Sequence, residues 1–106
     1  MNSAKSKTVS IKPVKEMVER YNLSLYIAGL TPKAVNALKN LRAVCENHLK
    51  GKYRIEVIDL LLNPQFGRKY QILAIPTLIR TTPQPVRLII GDLSDTAQLI
   101  AGLDII

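Results

Sequence analysis

Two helix-start signals constrain this chain of 106 residues more than anything else in it, because each follows directly on a run with the two-residue period of a strand. Tyr21, Leu23, Leu25 and Ile27 alternate with Asn22, Ser24, Tyr26 and Ala28, and Gly29 breaks the run. Thr31 then offers a hydroxyl N-cap, and Pro32 occupies the first helical position, where a missing N–H costs nothing. Beyond it Ala34, Leu38, Leu41, Cys45 and Leu49 recur at three- and four-residue spacing, an apolar stripe that closes near Lys50 with Gly51 as C-cap. The pattern then repeats. Tyr53, Ile55 and Val57 alternate with Arg54 and Glu56 and run into Ile58-Asp59; Asn63-Pro64 starts a short helix over about 64–72.

The remainder changes rhythm. Pro76 precedes a short strand, Thr77-Leu78-Ile79, and Pro83 and Pro85 punctuate the loop before a fourth strand over Val86–Ile90. Asp92 or Ser94 can cap a last helix holding Ala97, Leu99, Ile100 and Leu103, with Asp95 a further capping carboxylate. The element order is βαβαββα. Strands separated by a helix pair in parallel through right-handed crossovers, whereas strands joined by a short loop pair antiparallel. A parallel βαβ unit followed by ββα is an α/β fold of the thioredoxin-like kind. A proline opening the third strand fits, since that position in such folds is often a cis-proline.

The length predicts one domain, over residues 21–106, behind a flexible basic N-terminal arm, 1–20, with Pro13 inside it and one helical turn around Val14–Arg20. No run approaches the roughly 20 apolar residues of a membrane span, and no apolar stretch follows the N-terminal lysines as in a secretory signal. A cytoplasmic protein is expected, and the single cysteine agrees with a reducing compartment. The net charge of +7 favours acidic partners without choosing among them. The aromatics Tyr21 and Tyr53 fall on the apolar faces of their strands and no nucleic-acid signature is present, so no nucleic-acid partner is expected.

A redox enzyme of this shape would carry Cys-x-x-Cys where the first strand meets the first helix. The turn here reads Ala28-Gly29-Leu30-Thr31-Pro32 and holds no sulfur. Cys45 lies on the apolar stripe and is expected to be an inert core thiol, with His48 on the helix surface beside it. Asp59 ends a strand, where catalytic carboxylates often sit, but has no visible acid or base to work with. The five glycines are scattered and form no phosphate loop. No enzyme, metal site or cofactor is expected.

The segments Tyr26-Ile27-Ala28-Gly29-Leu30-Thr31-Pro32, Val57-Ile58-Asp59-Leu60, Asn63-Pro64-Gln65, Ile72-Leu73-Ala74-Ile75-Pro76-Thr77-Leu78, Ile89-Ile90-Gly91-Asp92-Leu93-Ser94-Asp95 and Gly102-Leu103-Asp104 resemble the KaiB family in order and spacing. The resemblance implies a non-catalytic clock or stress-signalling regulator that binds a KaiC-like hexameric ATPase and autokinase. It implies further partners, KaiA-like or histidine-kinase proteins, and a homo-oligomer, dimer or tetramer. The alternative it offers is an adaptor module like the SasA sensor domain, binding a histidine kinase. It also implies a second, ground-state fold of βαββααβ type that exchanges slowly with the thioredoxin-like, binding-competent form. The partner-binding surface implied comprises Asn36, Lys39, Arg54 and Glu56. Arg54 and Glu56 stand where cyanobacterial members tend to carry a small residue and a lysine, and Asn36 replaces a basic residue, which points to an altered partner. The fold-switch region implied comprises Pro76, Pro83, Pro85, Gly102 and Asp104. X–Pro isomerisation takes tens of seconds, slow enough to retard such an exchange.

Overall fold

A computed structural model describes residues 20–105; the N-terminal arm and its expected helical turn fall almost wholly outside them. Strand β1 (Tyr21–Ile27) leads into helix α1 (Pro32–His48), then β2 (Tyr53–Asp59) and the short helix α2 (Pro64–Lys69). Strands β3 (Thr77–Thr82) and β4 (Arg87–Ile90) and helix α3 (Thr96–Gly102) complete the order. The sheet runs β2-β1-β3-β4, with β1 and β2 parallel and the β1–β3 and β3–β4 pairs antiparallel. This is the βαβαββα thioredoxin-like arrangement, and not the βαββααβ alternative.

The local signals act as chemistry requires. The Thr31 hydroxyl accepts from the Ala34 N–H at 3.1 Å, satisfying one of the orphan donors of α1. Asp95, and not Asp92 or Ser94, is the N-cap of α3, its carboxylate accepting from the Gln98 N–H at 3.0 Å. Asp92 instead accepts from the Ser94 N–H at 3.0 Å, which shapes the turn before the helix, and the Ser94 hydroxyl and then this N–H lower its pKa. Asn63 precedes Pro64 but makes no side-chain cap. Helix α2 stops at Lys69, short of residue 72, because Gln71 takes a left-handed φ of 55° that an α-helix cannot continue.

Leu23, Leu25 and Ile27 of β1 pack with Ala34, Ala37, Leu41, Val44 and Cys45 of α1 and with Leu78, Leu93, Leu99 and Leu103. Ala37 and Val44 widen the stripe beyond its sequence reading, and Leu38 sits at its margin. Val57, expected to alternate inward, is 40% exposed, because β2 is an outer strand with a neighbour on one side only. β3 runs three residues past Ile79. Arg80 shares the core face with Leu78, two residues before it, and a bulge opposite Asn22 and Leu23 then leaves Thr81 without a partner in the register, while Thr82 accepts from Asn22 at 2.6 Å. On the other sheet face Tyr26 meets the Tyr70 ring at 6.2 Å, and Tyr70 meets Phe66 of α2 at 6.1 Å. Helix α2 therefore covers one end of a face that is otherwise open.

Candidate partner-binding surface

The corner where β1 meets α1 is a redox site without its chemistry. Ile75–Pro76 is a cis peptide at the start of β3, as the sequence suggested, and Thr31 and Ala28 line the same corner. The cavity between them measures about 40 Å³, room for about one water and no substrate. Gly29 turns the chain there at φ +79°, and a Cβ would stand 3.2 Å from the Leu61 side chain. Its N–H donates to Asp59 Oδ1 at 3.0 Å, and the Leu61 N–H donates to the same oxygen at 2.9 Å. The carboxylate that sequence position marks as catalytic is thus a clamp between two turns.

Cys45 is fully buried, and burial pushes its thiol up to about 12. A thiolate, the only reactive form, is absent at neutral pH. His48 is exposed on the same helix. Among the described residues no cluster of His, Cys, Asp or Glu could hold a metal ion. Two measurements test the buried thiol. In the native protein a thiol reagent at pH 8 is expected to label Cys45 only at the rate of unfolding. In alkali the unfolded chain ionises this thiol near its ordinary value of 9 while the folded chain holds the proton to about 12. Its contribution to stability is therefore intact below 9 and falls across that window at up to about 1.4 kcal/mol per pH unit. Tyr26 and Tyr53, both raised, act in the same direction, the first chiefly by burial and the second by the bond it donates to Glu46. Urea midpoints from pH 8 to 11 are expected to drop less steeply in Cys45→Ala.

The four residues taken for the partner surface divide into two groups. Tyr53 and Ile55 face α1, so Arg54 and Glu56 project from the opposite, open face of the sheet. There they line a shallow groove with Asn22, Ser24 and Thr81. Asn36 and Lys39 are exposed on α1, which covers the other face. The sheet separates the pairs, and they do not form one patch.

The residues taken for the fold-switch region behave differently, and one residue missed in the sequence brings several of them together. Arg80 is 1% exposed. Its Nη1 donates to the Leu103 carbonyl and its Nη2 to the Pro85 carbonyl at 2.6 Å, with Asp104 Oδ2 3.8 Å away. The guanidinium lies 5.7 Å from the centre of the Tyr21 ring, and the Tyr21 hydroxyl reaches the Asp104 carbonyl at 3.4 Å. Arg87 closes the arrangement, its Nη2 2.7 Å and its Nε 2.8 Å from Asp104 Oδ2. Arg80 Nε is the one buried side-chain nitrogen or oxygen without a partner among the described residues. Gly102 sits beside this lock, and a Cβ there would come within 2.7 Å of Ile89 Cδ1. The Thr82–Pro83 and Gln84–Pro85 peptides are cis, while Pro76, at the far end of β3, stands apart. The signal for Arg80 was in the sequence: two residues after Leu78 it falls on the core face by strand alternation, although its charge reads as solvent-facing.

The comparisons with known proteins agree with this architecture. Residues 24–105 match the KaiB domain. The circadian clock oscillator protein KaiB of Prochlorococcus marinus (strain MIT 9303) is 51% identical over 86 residues, covering 81% of this chain and 72% of that protein. The KaiB of Rippkaea orientalis is likewise 51% identical, over 81% and 83%. Among solved structures, the N-terminal domain of Synechococcus elongatus SasA superposes with a TM-score of 0.69 at 20% identity, over 91% of this chain and 93% of that one. Chloroplastic thioredoxin z gives 0.63 at 15%, over 84% and 82%, so the fold is shared well outside the sequence family. The KaiB match begins within β1 and takes in the sulfur-free corner, β2, Arg80, Arg87 and Asp104, and the chain belongs to the KaiB family of clock proteins.

Proposed function

We propose that this chain is a non-catalytic regulator that binds a KaiC-like hexameric ATPase in its thioredoxin-like form. The observation that carries the reading is the corner itself: a thioredoxin-shaped body whose reactive turn holds no sulfur, next to a cavity of about 40 Å³. With no sulfur at that turn and no room for a substrate in that corner, the reading is action through the surface. Membership of a clock-protein family supports a clock component as the partner class. Arg54 and Glu56, projecting from the open sheet face, are the proposed specificity contacts; Asn36 and Lys39 serve a second contact on α1. KaiA-like and histidine-kinase proteins are proposed as competing ligands, and the segment from Pro76 to Asp104 as the part that differs in an oligomeric ground state.

Size-exclusion chromatography with the cognate KaiC-like hexamer tests this. Co-migration is expected with ATP and not without nucleotide. Glu56→Lys is expected to change the dissociation constant by about tenfold, since a rim charge is worth about 1 kcal/mol or somewhat more at a partner surface. Thermal unfolding should not move, because the side chain is exposed. Retention by a histidine kinase but by no hexamer would replace this reading with the adaptor one.

A further inference from the structure

The end of the sheet that carries the sulfur-free corner also carries the four most exposed leucines of the described structure, and Ile75 beside them. Leu73 is 94% exposed, Leu30 79%, Leu62 78% and Leu61 69%, with Ile75 43%. They come from three connections: the β1–α1 turn, the turn after β2 and the approach to β3. These meet because β1 and β2 end at this edge and β3 begins there. The Leu60 N–H donates to the Ile27 carbonyl, and the Asp59 carboxylate ties Gly29 to Leu61, so the β1–α1 turn and the turn after β2 are held to each other by hydrogen bonds. Beside it an open groove of about 770 Å³ runs between Leu60, Pro64, Gly67, Arg68, Ile72 and Leu73. An exposed aliphatic cluster of this kind is uncommon on a protein that acts alone and marks a contact surface.

Charge selects the occupant. Between Asp59 and Asp92 the chain has no Asp or Glu, while Arg68, Lys69, Arg80 and Arg87 fall in that stretch. Arg80 is buried on carbonyls and Arg87 is paired with Asp104. Arg68 and Lys69 on α2 have no ion-pair partner among the described residues, and Arg68 lines the groove. The one carboxylate at the rim, Asp59, has an oxygen already committed to two backbone N–H groups. A second copy would bring the same cations face to face, in a chain of net charge +7. From these observations we infer that the crown Leu30–Leu61–Leu62–Leu73–Ile75, with Arg68 and Lys69 at its edge, is a docking surface for an amphipathic protein segment bearing apolar anchors flanked by carboxylates. Resting on the function proposed above, this places that segment on the KaiC-like hexamer and makes the crown the principal contact, with Arg54 and Glu56 a separate one.

Binding of the hexamer in ATP tests this with the full chain and three variants: Leu62→Ser with Leu73→Ser, Arg68→Glu with Lys69→Glu, and Arg54→Ala with Glu56→Ala. All alter exposed side chains, and circular dichroism with thermal melting verifies that the fold persists. The leucine pair is expected to weaken binding at least thirtyfold. The charge reversal should weaken it about tenfold and flatten its salt dependence, while the open-face pair changes it less. Wild-type binding with both crown variants within threefold of it overturns the crown and leaves the hexamer reading standing. Absence of wild-type binding overturns both. A wild-type oligomer that the leucine pair converts to monomer, with hexamer binding unchanged, assigns the crown to a second copy and overturns the inference.

Discussion

Arg80→Met is expected to lower the unfolding free energy by about 3 kcal/mol, the largest effect of any single polar change in this chain. Methionine fills nearly the same volume and keeps the apolar stem packed, so the loss is electrostatic and not a cavity. Without the guanidinium, the Leu103 and Pro85 carbonyls are left without the donors they have in the folded chain. An uncompensated buried acceptor costs about 1–3 kcal/mol, which applies in full to the buried Leu103, while Pro85 is exposed and water can replace its donor. Asp104 contributes less, since it is half-exposed and keeps Arg87. A domain of this size has a total stability of roughly 5–15 kcal/mol, so the change shifts the melting temperature by more than 10 °C, on the scale of about 4–8 °C per kcal/mol. Arg80→Lys is expected to recover part of this, because an ammonium can satisfy one carbonyl but not span two as the planar fork does. Hydrogen exchange adds a local signature. The Asp104 and Ile105 N–H groups, which close the C-terminal turn onto Ala101 and Ile100, should exchange faster in Arg80→Met than the amides of β1. Urea unfolding within 1 kcal/mol of wild type for Arg80→Met would show that the lock is not a stabilising element.

The second large effect lies in the apolar core. Leu41→Ala is expected to cost about 3–5 kcal/mol, since Leu41 is 0% exposed in the cluster that joins α1 to the sheet. Alanine has the higher helix propensity, but the difference is a few tenths of a kcal/mol and cannot offset lost burial and an unfilled cavity. Leu41→Met, which nearly conserves volume, should cost less than about 1.5 kcal/mol. Equal losses for alanine and methionine in urea would show that the site is sensitive to shape and not to deleted volume. Neither change touches the exposed crown, so hexamer binding per folded molecule should be unaltered at temperatures where both variants are folded.

Much of this fold is legible in the chain because its signals are local. Thr31-Pro32 starts α1 because one side chain caps and the next has the φ a helix needs, and neither depends on the rest of the molecule. The alternation over Tyr21–Ile27 needs only a buried and a less buried face. The missing cysteine pair is a fact of composition. Boundaries set by backbone geometry are less legible: α2 ends early at a left-handed Gln71, a residue with no sequence mark of that conformation. For the surface, Arg54 and Glu56 are correctly outward by alternation, but their separation from Asn36 and Lys39 by the sheet is invisible until α1 is laid on one face.

Taken by itself, the order of residues determined the element types, their pairing sense, the place of Cys45 on the buried stripe and the lack of a cysteine pair at the first turn, since each follows from the period or chemistry of neighbours in the chain. Only the tertiary structure decided which groups Arg80 meets, namely Pro85, Leu103 and Asp104, and that leucines from three separate connections gather at one end of the sheet. The physical reason is sequence distance: the Leu103 carbonyl that receives Arg80 lies 23 residues further on, and strand ends that are neighbours in space lie more than thirty residues apart along the chain.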